Sequence, residues 1–195
     1  MTWSLVLGGA ECVIEDAEAA IAKFGEPDTI VGVKDIAIEY PRIDHWATFH
    51  LDRIPKEISK RRSLGYKDPE SLWTYNNVRY QPRVGIPVNY LKVRGGSSGL
   101  LGALVGIKVA DKAILAGIPM DPKMRHFNDR KRGAPWAEGK NYKRHWDDYV
   151  PQMRNRVKSM RGWTMELLGE PSREWLFDSG ASAICDTPSS QTAVG

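Results

Sequence analysis

The first 33 residues contain a strand, a glycine turn, a helix and a second strand in that order, which constrains the fold more than any other feature. Leu5-Val6-Leu7 is a short apolar run that stops at Gly8-Gly9. Apolar residues at helical spacing then predict an amphipathic helix over 16–24, and the β-branched run 29–33 predicts a strand. A crossover helix between consecutive strands implies that the strands are parallel.

The same order returns in the middle of the chain. The run 88–93 predicts a strand, residues 95–99 form a second glycine-rich turn, and 100–109 predict a helix that is apolar nearly all round. Such a helix is expected to be buried. Small residues at 99, 102 and 106 leave one side of it smooth, which predicts close backbone packing, and 112–118 predict the next strand.

Other segments are assigned by pattern alone. Strands are predicted over 46–50 and 163–168, and short edge strands near 73–78 within a helix or loop excursion. Trp146, Tyr149, Val150, Met153 and Val157 are spaced as one helical face, which Pro151 should kink or divide into two helices. Together the elements predict a Rossmann-like three-layer α/β domain over 1–177, with a mostly parallel central sheet and a flexible tail over 178–195.

Composition excludes some classes of protein. With 27% charged residues, a mean hydropathy of −0.43 and no apolar run near the ~20 residues that a spanning helix needs, the chain is not expected to enter a membrane. The first residues lack the basic region of a signal peptide. Two cysteines without a metal-binding pattern fit a reducing compartment. We therefore expect a cytoplasmic protein.

The net charge of +4 is concentrated in one segment. Residues 123–145, called the basic segment below, contain eight Lys or Arg residues and two acids, Asp129 and Glu138. Three interpretations remain open: a basic lid over an anionic ligand, a strip that binds nucleic acid, or a solvated loop. The lid interpretation assigns ligand contact to four of these cations: Arg125, Arg130, Lys131 and Arg132.

Both glycine turns are candidate phosphate sites because each follows a strand and precedes a helix. Backbone N–H groups at a helix N-terminus are unpaired, and the helix dipole is positive there. The candidate nucleotide-binding residues are Gly8, Gly9, Ala10 and Glu11 in the first turn and Gly95, Gly96, Ser97, Ser98 and Gly99 in the second. The glycines of the first turn could equally serve only to reverse the chain, and Ser98 could be a plain helix cap.

Carboxylates and histidines at predicted strand ends are candidates for chemistry. Glu11, Asp35 and Asp121 could share one crevice and hold a divalent ion such as Mg²⁺ or a ribose hydroxyl. Asp121 is the preferred acid and the preferred metal ligand because the basic segment begins beside it. His50 and His126 could each be a general acid or a phosphate donor, although isolated histidines are more often structural.

The order of these pieces resembles the pterin pyrophosphokinase-like family, which groups archaeal 6-hydroxymethyl-dihydropterin diphosphokinases with a domain of flagellin-glycosylation factors. This family is related in fold to bacterial sialyltransferases and includes small phage-encoded members. The resemblance rests on these segments: Gly8-Gly9-Ala10-Glu11, Val31-Gly32-Val33-Lys34-Asp35, Asp44-His45-Trp46, Gly96-Ser97-Ser98-Gly99, and Gly117-Ile118-Pro119-Met120-Asp121 followed by His126. Lys34 and Pro119 depart from the family pattern.

The resemblance implies a nucleotide-dependent transferase that uses either ATP with Mg²⁺ or a CMP-activated sugar and acts on a small-molecule or sugar acceptor. Asp121 and His126 would then be catalytic, with Asp35 beside them. Two other functions stay open: a non-catalytic protein that sequesters a nucleotide, and an accessory protein that binds nucleic acid through the basic segment.

Overall fold

A seven-stranded, wholly parallel sheet organises the chain. The computed structural model describes residues 1–75, 81–128 and 139–177. The strands are β1 (Trp3–Leu7), β2 (Thr29–Val33), β3 (His45–Ala47), β4 (Ser71–Tyr75), β5 (Val88–Leu91), β6 (Lys112–Ala116) and β7 (Val157–Ser159). Their order across the sheet is β5-β4-β3-β2-β1-β6-β7, and every neighbouring pair is parallel. The predicted Rossmann-like α/β fold is confirmed.

Helices cover both faces of this sheet. They are α1 (Val13–Phe24), α2 (Ile36–Glu39), α3 (Ile54–Ser63), α4 (Ser98–Val109), α5 (Gly139–Asp147), α6 (Val150–Met153), α7 (Gly162–Leu168) and α8 (Arg173–Phe177), with a 3₁₀ turn at Leu51–Arg53. Alternate residues of a strand point to opposite faces. In β1, Leu5 and Leu7 therefore join the core cluster under α1, whereas Val6 joins the cluster under α4.

The direction in which the sheet grows changes at β1. Strands β2 to β5 are added outward on one side of β1, and the chain then returns across α4 to place β6 on the other side. Connections from neighbouring strand ends consequently leave in opposite directions, which opens a crevice at the carboxyl edge of the sheet. This topological switch point lies between β1 and β6.

Helix α4 packs onto the sheet through its glycines, as predicted. A Cβ at Gly102 would lie 2.4 Å from Val33 Cγ2, and one at Gly106 would lie 2.7 Å from Val6 Cγ2. Only glycine allows this approach. At the far end of α4, the Arg156 guanidinium donates to the carbonyl oxygens of Ile107, Ala110 and Asp111. The cation thus satisfies orphan carbonyls at the negative end of the helix dipole.

Some sequence-based element assignments are wrong. Residues 163–168 form helix α7 rather than a strand, and Val157 lies in β7 rather than on the preceding helical face. Strand β4 lies inside the sheet, between β3 and β5, instead of at an edge. The predicted division at Pro151 is confirmed, since α5 and α6 are separate helices with Pro151 in the first turn of α6.

Two further sequence predictions concern the tail and the membrane. The tail over 178–195 lies outside the described residues. Within the described ranges, no helix combines the length and the apolar character needed to cross a membrane.

Candidate functional site

A cavity of about 400 Å³ opens at the carboxyl edge of the sheet, at the switch point. Strand ends β1, β2, β3 and β6, the first turn of α4 and parts of the basic segment surround it. Its lining comprises Gly8, Gly9, Ala10, Val33, Lys34, Phe49, His50, Gly96, Ser97, Ser98, Gly99, Gly117, Ile118, Pro119, Met120, Asp121, Met124, Arg125, His126 and Tyr142. The structure therefore brings together eleven of the residues singled out as site candidates from the sequence: Gly8, Gly9, Ala10, His50, Gly96, Ser97, Ser98, Gly99, Asp121, Arg125 and His126.

The first glycine turn contributes mainly shape: three of its four N–H groups bond within the protein, and the Gly9 N–H has no acceptor in the described part of the chain. The N–H groups of Gly8, Ala10 and Glu11 donate to the carbonyls of Ala116, Gly117 and Arg125, at 2.8, 3.1 and 2.9 Å. A Cβ at Gly8 would lie 2.2 Å from Gly117 O, so glycine is required where the ends of β1 and β6 meet. These N–H groups are already occupied by protein acceptors, and the turn forms one wall of the cavity.

The second glycine turn leads into α4 and leaves donors for a ligand. Ser97 is the N-cap, and its Oγ accepts the Leu100 N–H at 3.2 Å. The N–H groups of Ser98 and Gly99 precede the first intrahelical bond and have no acceptor within the described part of the chain. The first turn of α4 carries no acidic residue that would oppose an anion. The positive end of a 12-residue helix thus faces the cavity.

Gly95 and Gly96 hold this turn in place. Their φ angles of 138° and 115° lie in a region that side chains rarely adopt. A Cβ at either residue would lie 3.3 Å from His145, so the turn fits closely against α5. Gly96 lines the cavity, whereas Gly95 contacts α5 and does not.

The three candidate carboxylates do not converge. Asp121 lines the cavity, and its Oδ1 accepts the Lys123 N–H at 2.8 Å, which leaves Oδ2 for another partner. Glu11 and Asp35 lie outside the lining. Glu11 Oε1 is 3.4 Å from the Arg125 N–H nitrogen, and Asp35 Oδ2 lies 3.8 Å from His126 Nε2.

His126 is fixed from several sides. Its Nδ1 is 2.6 Å from Asn128 Oδ1, and its backbone forms an antiparallel bridge with Ala10. A Cβ at Gly9 would lie 2.9 Å from Nε2, so the ring sits directly on the first glycine turn. With Nδ1–H donating to Asn128, Nε2 can exchange a proton at the edge of the cavity, near Asp35.

Positive charge dominates the lining. Lys34 is half-buried, Arg125 is exposed, and neither side chain forms an ion pair among the described residues. Burial lowers the pKa of His50 below its usual range, with further lowering by Lys34 and Arg53. Three members of the predicted basic lid, Arg130, Lys131 and Arg132, lie outside the described residues.

Sequence reasoning missed several parts of the lining. Phe49 follows β3 and Lys34 follows β2, so their positions at strand ends could have identified both as lining residues. In the sequence, Lys34 was noted only as a departure from the family pattern. Tyr142 reaches the cavity from α5; it belongs to the basic segment, for which contact with an anionic ligand was one of the three interpretations. Both described flanks of the basic segment border the cavity, through Met124 on one side and Tyr142 on the other.

Cys12, close to the first glycine turn, lies in surroundings that disfavour its thiolate form. Burial, followed by the charge of Asp16 and a hydrogen bond to it, raises the pKa of the thiol to about 12. Asp16 itself is buried, accepting hydrogen bonds from Gly117 N and Arg161 Nε at 3.0 and 2.8 Å. This carboxylate ties α1 to the loop after β6 and serves the fold.

No group of three or more His, Cys, Asp or Glu side chains in the described ranges is arranged to hold a metal ion. Mg²⁺ bound beside phosphates commonly uses only one or two carboxylates, a requirement that Asp121 Oδ2 can meet. Comparisons with protein-family models, curated proteins and solved structures find no match.

Proposed function

We propose that the protein is a nucleotide-binding transferase of the cytosol whose ligand occupies the cavity at the switch point. The observation that supports this most directly is the open first turn of α4, where the Ser98 and Gly99 N–H groups adjoin a cavity of about 400 Å³. Ligand cavities of small molecules start near this volume. Anionic groups bind at helix N-termini because dipole and free donors act together there.

Each part of the lining has a role in this proposal. The α4 turn binds a phosphoryl group, and Gly8 and Gly9 leave room for the ligand beside β1. Asp121 orients an acceptor hydroxyl or provides one ligand to Mg²⁺, which when bound neutralises charge on phosphate oxygens. His126, with Nδ1–H donating to Asn128, donates a hydrogen bond from Nε2 to the group being transferred when the ring carries both protons, and Arg125 stabilises the charge that develops on that group.

The first experiment is a thermal-shift and calorimetric screen against ATP, GTP, CTP, CMP and CMP-activated sugars, with and without Mg²⁺. A ligand at about 100 times its Kd adds roughly 2.7 kcal/mol to the free energy of unfolding, which a melting curve resolves. We expect binding by the wild-type protein and its loss in Ser98→Asp, because the new carboxylate repels an anion.

The Ser98→Asp variant is informative because it should fold normally. An acidic residue in the first turn of a helix is favourable, so its melting temperature should not fall. Ser59→Asp, on an exposed position of α3, adds the same charge away from the cavity and should bind normally. Equal binding by Ser98→Asp and the wild type would contradict the proposed site.

Catalysis is tested separately from binding. Once a ligand is found, incubation with Mg²⁺ and a panel of sugar and hydroxylated small-molecule acceptors, followed by recovery of the nucleotide, distinguishes a transferase from a protein that only sequesters the nucleotide. Loss of turnover with retained binding in Asp121→Asn would support the assigned role of this carboxylate. A nucleotide recovered unchanged under all conditions would favour the non-catalytic binding protein.

A further inference from the structure

Two residues in the described part of the chain combine a side chain with a left-handed backbone, and both line the cavity. Lys34 has φ = 55° and Met120 has φ = 51°. Residues other than glycine and asparagine rarely adopt this region because Cβ approaches the carbonyl oxygen. Such strain persists where the surrounding structure fixes it, often at functional sites.

The backbone of Lys34 is held from two sides. Its N–H donates to Ala47 O at 3.1 Å, beyond the end of the β2–β3 ladder, and its C=O accepts the Ala37 N–H at 3.1 Å. The left-handed turn thus connects β2 to α2. These contacts involve backbone atoms only, so they would hold asparagine or glycine equally well and do not account for a lysine.

The Lys34 ammonium has no direct partner within the described residues. Its Nζ forms no hydrogen bond or ion pair there, although the side chain is half-buried. Burial raises the pKa of Glu57 and the charge of Lys34 opposes this rise, so this carboxylate attracts Lys34 from a longer distance. The neighbouring Asp35 carboxylate lies beside His126, at 3.8 Å. Arg125 lines the same cavity, and Asp121 is the one carboxylate among the described lining residues. A cation without a direct partner in this place fits an anion that the cavity binds.

The spacing of the strands narrows the choice of anion. Lys34 follows β2, the neighbour of β1 in the sheet. Arg125 belongs to the loop after β6, and this loop returns over the turn after β1, where Arg125 O accepts the Glu11 N–H at 2.9 Å. Adjacent strands are about 4.8 Å apart, so the two residues approach the crevice from neighbouring strand ends. The α4 turn approaches the same crevice, with Gly102 against Val33 of β2. Two cations and a helix N-terminus around one crevice suit a row of phosphates better than a single one.

We propose that Lys34 is a specificity-determining residue that binds the second phosphoryl group of a nucleoside di- or triphosphate, and that its backbone strain is retained for this purpose. This inference rests on the proposed function and narrows its ligand class. A monophosphate would satisfy the α4 turn and leave Lys34 without a partner.

The test uses pyrophosphate, phosphate, ATP and AMP as probes for the full-length protein, with calorimetry for affinity and melting curves for stability. Lys34→Asn removes the cation and relieves strain, since asparagine adopts this backbone region more readily. We expect pyrophosphate and ATP to bind about tenfold or more weakly. Phosphate and AMP should change little, and the melting temperature should rise by about 2 °C.

Two variants serve as controls. Lys67→Asn removes the same charge from the exposed loop between α3 and β4, at the opposite edge of the sheet, and should bind all probes normally. Lys34→Arg keeps the charge and the strain, so it should bind pyrophosphate better than Lys34→Asn and show no gain in melting temperature.

The outcomes separate this inference from the proposed function. Normal pyrophosphate and ATP binding by Lys34→Asn overturns the role of Lys34 while leaving the nucleotide site intact. Weaker binding together with a lower melting temperature also overturns it, because Lys34 would then support the fold. A wild-type protein that binds none of the probes overturns both proposals.

Discussion

At the scale of single residues, Arg61 shows how backbone carbonyls can hold a fully buried guanidinium, which forms no ion pair among the described residues. It is 0% exposed. Its guanidinium donates to four backbone carbonyls, those of Ala37, Tyr40, Pro41 and Lys67, at 2.6–2.8 Å. Burial lowers the pKa of Arg61. The side chain therefore joins α2, the loop that leads into β3 and the loop that leads into β4 into one unit at the amino edge of the sheet.

Replacing Arg61 by methionine should destabilise the protein severely. The substitution keeps much of the apolar stem but leaves four carbonyls without their donor, and each buried unpaired group costs about 1–3 kcal/mol. We expect a loss of about 3 kcal/mol or more in the free energy of unfolding, measured by urea denaturation.

Arg62→Met is the matched control for this change. Arg62 is the next residue of α3 and pairs with Asp68 at the exposed surface, where ion pairs contribute little. Its unfolding curve should stay close to that of the wild type. If both variants lost the same stability, the four carbonyl contacts of Arg61 would not be the cause.

His50 predicts a pH dependence of stability. Its pKa is lowered in the folded state, chiefly by burial, so the unfolded chain binds the proton more readily. The stabilisation from neutral His50 is complete above the unfolded pKa of about 6.5 and is lost as pH falls through the folded value. Between pH 8 and 5, the free energy of unfolding should decline more steeply for the wild type than for His50→Asn. Parallel pH profiles would contradict this assignment.

At the scale of secondary-structure elements, α4 depends on its glycines. Gly102→Ala should destabilise the protein although alanine favours helix by about 1 kcal/mol. The new methyl group would lie 2.4 Å from Val33 Cγ2, and overpacking of this kind costs about 1–3 kcal/mol. A double mutant with Val33→Ala removes the clash, so Gly102→Ala should cost less in that background. Equal costs in both backgrounds would exclude Val33 as the cause.

The elements that sequence reasoning identified correctly are those with long, regular patterns. The β1–α1–β2 unit and the α4–β6 unit follow from glycine turns and apolar periodicity. The strand prediction for residues 163–168 was wrong because a short run with Trp163, Met165 and Leu168 fits a strand as well as a helix. Gly162, with φ = 71°, starts α7 after a turn, and only the tertiary structure makes that visible. Val157 lies in a strand of three residues, too short to show alternation.

At the scale of the whole molecule, the site was predictable to the extent that it follows from topology. Parallel strands bring their carboxyl ends to one edge, so Gly8, Ser98, Asp121 and His126 could be grouped from sequence. Asp35 lies outside the cavity lining, and three of the four N–H groups of the first glycine turn bond to protein acceptors. Both features depend on loop geometry. The left-handed backbone of Lys34 has no sequence signal at all, because lysine rarely adopts it.

Helix α8, the last helix in the described residues, should contribute to the stability of the core. Leu176 of α8 is 1% exposed in the core, and Trp175 Nε1 donates to Asn155 O at 3.0 Å. A chain ending at Phe177 should keep the wild-type melting temperature. A chain ending at Pro171 lacks Leu176 and leaves its apolar contacts exposed, which alone should lower the free energy of unfolding by about 2–3 kcal/mol. Equal melting temperatures for the two chains would contradict a structural role for α8.

The pairing of β1 with β6 has a consequence for how the chain is made. Thr2 and Asp111, which hydrogen-bond beside this pair, are 109 residues apart. A ribosome adds about 5–20 residues per second, so β1 is synthesised roughly 5–20 s before β6, and the edge of β1 that pairs with β6 stays unpaired during that time. During that time the nascent chain can pair β1 with β2 but cannot close the crevice. Translation speed and chaperone access should therefore change the yield of folded protein, while the stability of the protein that has folded should stay the same.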